Sequence, residues 1–199
     1  MNIQNNNDIF IKFVESDFVP GFQQMRHYEI QIFDAVKFIF TGYIALIGIA
    51  IGLYQFETIE MIDLNYAIIV SLTIGLMLGF FVLALLIRNR VHYVQVTRYI
   101  NEIRSYYYSN KPNEFENISG MYVNPNTPSY FNWKSTQLLL SYIITLLNTV
   151  IFCLIEYIFL KDCSFIIFII IASSLAIINL QLLIAIKYLN AYETKRNNA

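Results

Sequence analysis

Four stretches of the chain are apolar and uninterrupted by charge, and each is long enough to cross a lipid bilayer as a helix. About 20 apolar residues, each rising about 1.5 Å, are needed to span roughly 30 Å of hydrocarbon. A helix at the surface of a soluble protein keeps a polar face, and the second stretch has none. The four predicted spans are Phe38–Phe56, Leu64–Ile87, Leu138–Ile155 and Phe165–Ile186.

The connections between these spans predict how they pair. Residues 57–63 join the first two spans, and residues 156–164 join the last two. Such short links allow the chain only to turn back on itself, so we expect two helical hairpins, at 38–87 and 135–189. The predicted fold class is an all-α integral membrane protein with four transmembrane helices.

The region before the first span, residues 1–37, has apolar residues at helical spacing. Asp8–Val19 carries them on one face, which predicts an amphipathic helix, and its acidic polar face favours packing on the protein rather than on the membrane surface. Pro20 and Gly21 predict a break, with a second helix starting near Phe22 and entering the first span. The apolar positions in the first helix are Ile9, Phe10, Phe13, Val14 and Phe18.

The second span is followed by a segment without proline or glycine, Arg88–Asn110. It predicts one helix that continues from the membrane into the region 88–134, with Arg98 and Glu102 paired on its outer face. The rest of that region is expected to be a loop, with one short helix around Glu114–Ile118. Apolar residues at alternating spacings of three and four predict a seam that packs against another helix. That seam comprises Tyr93, Val96, Ile100, Ile103 and Tyr107.

Composition and charge exclude a soluble protein and predict an orientation. The 199 residues are 57% hydrophobic and only 14% charged, whereas a soluble domain has about 25% charged residues. All lysines and arginines except Lys161 fall in three regions: residues 1–37, residues 88–134, and the residues after the fourth span, which include the tail 190–199. By the positive-inside rule these regions are cytoplasmic. We therefore expect a multi-pass protein of the bacterial inner (plasma) membrane, without a cleavable signal peptide.

Catalytic chemistry is not predicted. The two histidines, His27 and His92, and the two cysteines, Cys153 and Cys163, have no catalytic or metal-ligand spacing. The segment 88–134 also contains no glycine-rich phosphate loop. We therefore expect neither an enzyme nor a cofactor.

The third span is the polar one. Polar residues follow one another at about four-residue spacing and form a slanted stripe along one side of the helix. Either they form hydrogen bonds between helices inside a monomer, or they line a pore in a homo-oligomer, with the glutamate as an acidic ring at the outer mouth. The candidate pore-lining residues are Gln137, Ser141, Thr145, Asn148, Thr149 and Glu156.

Arginines and tyrosines alternate along the helix below the second span. Arginine binds phosphate and tyrosine stacks on bases, which is the composition of an oligonucleotide pocket. Positive charge next to a span and ordinary helix packing are the competing explanations. The candidate ligand-binding residues are Arg90, Arg98, Tyr99 and Arg104.

Four spans, cytoplasmic termini and a second span that runs into RNRVHYVQVTRYINEIRSYYY resemble small bacterial membrane effectors of anti-phage defence, such as the membrane effectors of CBASS-type systems and of Hailong. The resemblance implies a homo-oligomeric pore that a nucleotide or oligonucleotide signal controls from the cytoplasmic side, in contact with membrane lipid. The alternative is a non-conducting membrane scaffold or accessory subunit that docks a soluble partner through residues 88–110.

Overall fold

The structure, a computed structural model, describes residues 3–60, 64–109, 118 and 123–197. These residues form four helices, each containing or nearly coinciding with one predicted span, and all four are long and apolar enough to cross a membrane. The predicted all-helical membrane protein with four such helices is confirmed at this level. The helices are α1 Ile3–Glu60, α2 Asn65–Ser109, α3 Thr136–Leu160 and α4 Ile166–Asn197.

Helix α1 continues through Pro20, so the predicted break at Pro20 and Gly21 is wrong. A proline inside a helix costs roughly 3 kcal/mol, because its ring meets the preceding turn and a hydrogen bond is lost. Contacts with α2 on both sides of the proline oppose this cost. Phe18 lies under the Arg104 guanidinium at 5.6 Å, and the buried Gly21 packs against Ile100.

The predicted amphipathic helix Asp8–Val19 is accordingly the first part of α1 and not a separate element. The side chains of Ile9, Phe10 and Phe13, on which that prediction depended, lie outside the described residues.

Helices α1 and α2 pack against each other along most of their length, and their contacts run in opposite order. Near the start of α1, Asp17 accepts a hydrogen bond from Tyr99. About three turns further along α1, the rings of Tyr28 and His92 stack at 5.6 Å. The two helices are therefore antiparallel.

Glycines of α2 allow this close packing. A Cβ at Gly75 would lie 2.5 Å from Leu46 Cδ1, and a Cβ at Gly79 would overlap with the Tyr43 hydroxyl. Two glycines of α1 have different surroundings, since a Cβ at Gly48 or Gly52 would meet nothing within 4 Å.

Beyond the span, α2 stays helical to Ser109, as predicted for residues 88–109. Its buried face coincides only in part with the predicted seam. Ile100 of the seam is buried, but so are Val91 and Val94 outside it, and Tyr107 at the end of the seam is 55% exposed. Arg98 was expected on the outer face beside Glu102, and this is wrong: it is only 3% exposed and points into the protein.

Helix α3 packs against α2 on one side and α4 on the other, and it carries much of the core. Within the most apolar stretch of α3, 39% of the residues are buried, against only 6% in α4. Over the whole of α4 the buried residues among those described are Gln181, Ala185 and Leu189, whereas seven residues of the shorter α3 are buried. The short helix predicted around Glu114–Ile118 lies outside the described residues, apart from Ile118, which is in a turn.

Candidate functional site

The polar stripe of α3 faces the interior of the chain's own bundle. Ser141, Thr145 and Thr149 are each at most 5% exposed. Each donates its hydroxyl to a carbonyl one turn earlier: Ser141 to Gln137 at 3.3 Å, Thr145 to Ser141 at 3.0 Å and Thr149 to Thr145 at 2.8 Å. These three side chains are satisfied by their own helix and need no partner on another one.

Asn148 is different, because its amide binds two other helices. It is 0% exposed. Its Oδ1 accepts a hydrogen bond from the Tyr43 hydroxyl of α1 at 2.5 Å, and its Nδ2 donates to Gln181 Oε1 of α4 at 3.0 Å. Gly79 of α2 leaves the space that the tyrosine hydroxyl occupies. We call Tyr43, Gly79, Asn148 and Gln181 the polar node, since all four helices meet there.

Towards the α3–α4 connection, two further polar pairs join these helices. Ser173 donates its hydroxyl to Glu156 Oε2 at 2.5 Å, and Cys153 Sγ lies 2.9 Å from Ser174 Oγ. Glu156, the predicted acidic residue of the outer mouth, is thus half-buried beside α4.

At the opposite end of α3, Gln137 Oε1 accepts a hydrogen bond from Arg90 Nη1 at 3.0 Å. The six predicted pore-lining residues therefore form one line of polar groups along α3, from Arg90 at one end to the carboxylate of Glu156 at the other. We call this line the polar seam. The structure brings these six residues together on one side of α3, with the polar node at its middle.

The four predicted ligand-binding residues do not lie together. Arg90 and Arg98 point towards the segment that precedes α3, whereas Tyr99 and Arg104 point towards α1. Tyr99 donates to Asp17, and this hydrogen bond raises the pKa of Tyr99. Arg104 lies beside Phe18 in a groove of about 440 Å³ between α1 and the end of α2. The other residues lining that groove are Val14, Glu15, Ile103, Tyr107 and Tyr108.

The Arg90 guanidinium is occupied by backbone carbonyls. It donates from Nε to the Tyr130 oxygen at 3.2 Å and from Nη2 to the Ser129 oxygen at 2.8 Å. Burial lowers the pKa of Arg90 from its ordinary value. Its role in the chain is to hold the segment before α3 against α2.

Arg98 extends this attachment to α4. Its Nε donates to the Pro128 oxygen at 2.9 Å, and its Nη2 donates to both carboxylate oxygens of Glu193 at 2.8 and 2.9 Å. The guanidinium also lies 4.6 Å from the centre of the Tyr130 ring. The Tyr130 amide in turn donates to Glu193 at 3.3 Å. One buried arginine therefore joins α2, the loop and the end of α4.

Tyr43, Glu193 and Tyr130 are among the residues that bind the candidate site residues without having been predicted as site residues. Tyr43 is a single hydroxyl in an apolar span, and nothing near it in the sequence indicates its partner. Glu193 and Tyr130 lie 95 and 32 positions from Arg98 along the chain. The signal in the sequence that could have indicated Glu193 is that it is the one acidic residue after Asp162.

Within the ranges 3–60, 64–109 and 123–197, together with residue 118, no three His, Cys, Asp or Glu side chains are placed to hold a metal ion. Comparisons with protein-family models, with curated proteins and with solved structures find no match to this chain.

Proposed function

We propose that this protein is an oligomeric membrane channel or pore-forming effector, gated from the side that carries the termini and residues 88–134. In this proposal that side is the cytoplasm of a bacterial cell, the membrane is the inner membrane, and the signal is a nucleotide or oligonucleotide in anti-phage defence. The observation that supports it is the polar seam, because uncharged polar groups and a carboxylate along a membrane helix are typical of helix contacts and of ion paths.

In a single chain the polar seam is closed. Its side chains bond to their own helix, to the polar node, to α4 or, for Gln137, to Arg90 of α2. The four seam side chains between Gln137 and Glu156 are buried. A conducting state then requires that α4, which has fewer buried residues than α3, moves away from α3 so that the seam faces a shared axis in an oligomer. The continuous α2 helix supplies a rigid connection from the extramembrane layer to this region.

The test is ion leak from liposomes that contain the purified protein, with and without short oligonucleotides. We expect Asn148→Leu to change the leak by about tenfold or more, since it removes the central amide of the seam. Asn179→Leu is the matched control, because Asn179 has the same side chain near the same depth but is exposed on α4 and bonds to its own helix at the Leu175 carbonyl. Equal effects of the two substitutions would contradict the proposed role of the seam.

The second candidate is a non-conducting scaffold or accessory subunit that docks a soluble partner through residues 88–110. It is favoured by the pairing of the seam, since the buried side chains of Ser141, Thr145, Asn148 and Thr149 each have a hydrogen-bond partner inside this bundle and need none from a second copy. Absence of leak in both conditions, from a protein that is monomeric in detergent, would support this candidate and contradict the channel.

A further inference from the structure

Helix α4 is joined to the rest of the chain by a few side-chain hydrogen bonds and by a small number of buried residues. Only 6% of the residues in its most apolar stretch are buried. In and next to its predicted span, the side-chain hydrogen bonds that the described residues of α4 make to α3 are those to Asn148, Cys153 and Glu156. The Arg98–Glu193 pair is a charged bond, and it lies at the end of α4 beyond the predicted span.

The two partners of this pair differ in their access to water. The Arg98 side chain is 4% exposed, and that of Glu193 is 35% exposed. Arg98 is fixed from the loop side by the Pro128 carbonyl and by the Tyr130 ring. Glu193 is therefore the partner that can leave, and its departure would uncover a guanidinium whose remaining protein contacts are already in place.

We infer that the Arg98–Glu193 pair controls the position of α4: when it is intact, the α4 end packs over α2 and α3, and when it is broken, that end is released. Ala185 and Leu189 lie one to two turns before Glu193 and are buried in the core, so release exposes them first. This inference rests on the proposed function, because it names the contact that keeps the polar seam closed.

Breaking the Arg98–Glu193 pair leaves the Arg98 guanidinium without its anionic partner. Removing one partner of a buried ion pair leaves an uncompensated charge, and the structure relieves this by letting water in. Three described residues of α4 are buried, Gln181, Ala185 and Leu189, against seven in the shorter α3, so α4 has less burial than α3 to resist such an opening. Local opening of the weakly held element is therefore the expected response.

The test measures alkylation of a single cysteine in full-length protein in liposomes. The parent carries Cys153→Ser, Cys163→Ser and Ala185→Cys, and the test variant adds Glu193→Gln. We expect alkylation at position 185 to become about tenfold faster, as for a local opening equilibrium that loses one buried ion pair. The matched control is Lys195→Gln, which neutralises an exposed charge on the same turn of α4 and leaves the rate unchanged.

A second reporter separates release of α4 from unfolding. Ile144→Cys replaces a core residue of α3 that is 0% exposed. Faster alkylation at position 185 alone supports the inference. A change of less than about twofold at position 185, or equal acceleration at 144 and 185, would overturn it.

The alkylation readout is independent of conduction. Faster labelling of Glu193→Gln in a protein that never leaks ions would support control of α4 by this pair and contradict the channel. Ion leak without any change in labelling would support the channel and contradict control of α4 by the pair.

Discussion

At the scale of single residues, equal glycine spacings have different surroundings. Gly75 and Gly79 of α2 are buried against α1, whereas Gly48 and Gly52 of α1 have open space around them. A small-xxx-small pattern predicts close helix approach but does not say which copy of the pattern is used. In this chain the α2 glycines make that contact.

This difference predicts opposite results for two identical substitutions. Gly79→Ala places a methyl group against the Tyr43 hydroxyl and Asn148 Oδ1, so we expect it to lower the free energy of unfolding by about 1–3 kcal/mol through overpacking. Gly48→Ala meets nothing within 4 Å and should be neutral or slightly stabilising, since alanine favours the helix. Unfolding in detergent titrations measures both. Equal stabilities of the two variants would show that the polar node is not packed as described.

At the scale of helices, the continuity of α1 is the main departure from the prediction. Proline normally ends a helix, and only contacts distant in sequence can offset its effect. Here these contacts are the Arg104–Phe18 stack before Pro20 and the packing of Gly21 on Ile100 after it.

Because α1 is continuous, Pro20 is expected to lower the free energy of unfolding of the protein. We expect Pro20→Ala to raise the free energy of unfolding by about 1–3 kcal/mol, because it restores a helix hydrogen bond and removes the steric conflict. Thermal unfolding in detergent micelles measures this. A loss of stability on substitution would indicate that α1 bends or ends at this residue.

The spans could be predicted because the hydrocarbon thickness sets the number of consecutive apolar residues that a span needs, and that number can be counted in the sequence. The partners of polar residues could not, because they depend on how helices are arranged. Arg98 illustrates this: Glu102, one turn away, is the local choice, and Glu193 is the partner that the arrangement of α2 and α4 brings to it. The polar stripe on α3 could be predicted because it depends only on residue spacing along one helix. Its partners Tyr43 and Gln181 could not, because they lie on other helices.

At the scale of the whole molecule, the distribution of basic residues makes a prediction about orientation. On the proposed orientation, in a chain with Cys153→Ser and Cys163→Ser expressed in the inner membrane of a bacterial host, we expect Asp162→Cys to react with a membrane-impermeant maleimide once the outer membrane is permeabilised. Thr194→Cys, at the other end of α4, should react only after the inner membrane is lysed. Both positions are exposed on the protein, so membrane side alone decides the result. The reverse pattern would contradict the orientation.

The polar node also has a consequence for how the chain is made. Helix α4 is the last of the four to leave the ribosome, and until it arrives Asn148 has its hydrogen bond from Tyr43 but lacks Gln181 as the acceptor for its Nδ2. Lipid cannot satisfy an amide N–H, so in a nascent three-helix intermediate this N–H lacks the partner that the fourth helix supplies. The bond that joins α3 to α4 in the finished protein thus distinguishes a complete bundle from an unfinished one.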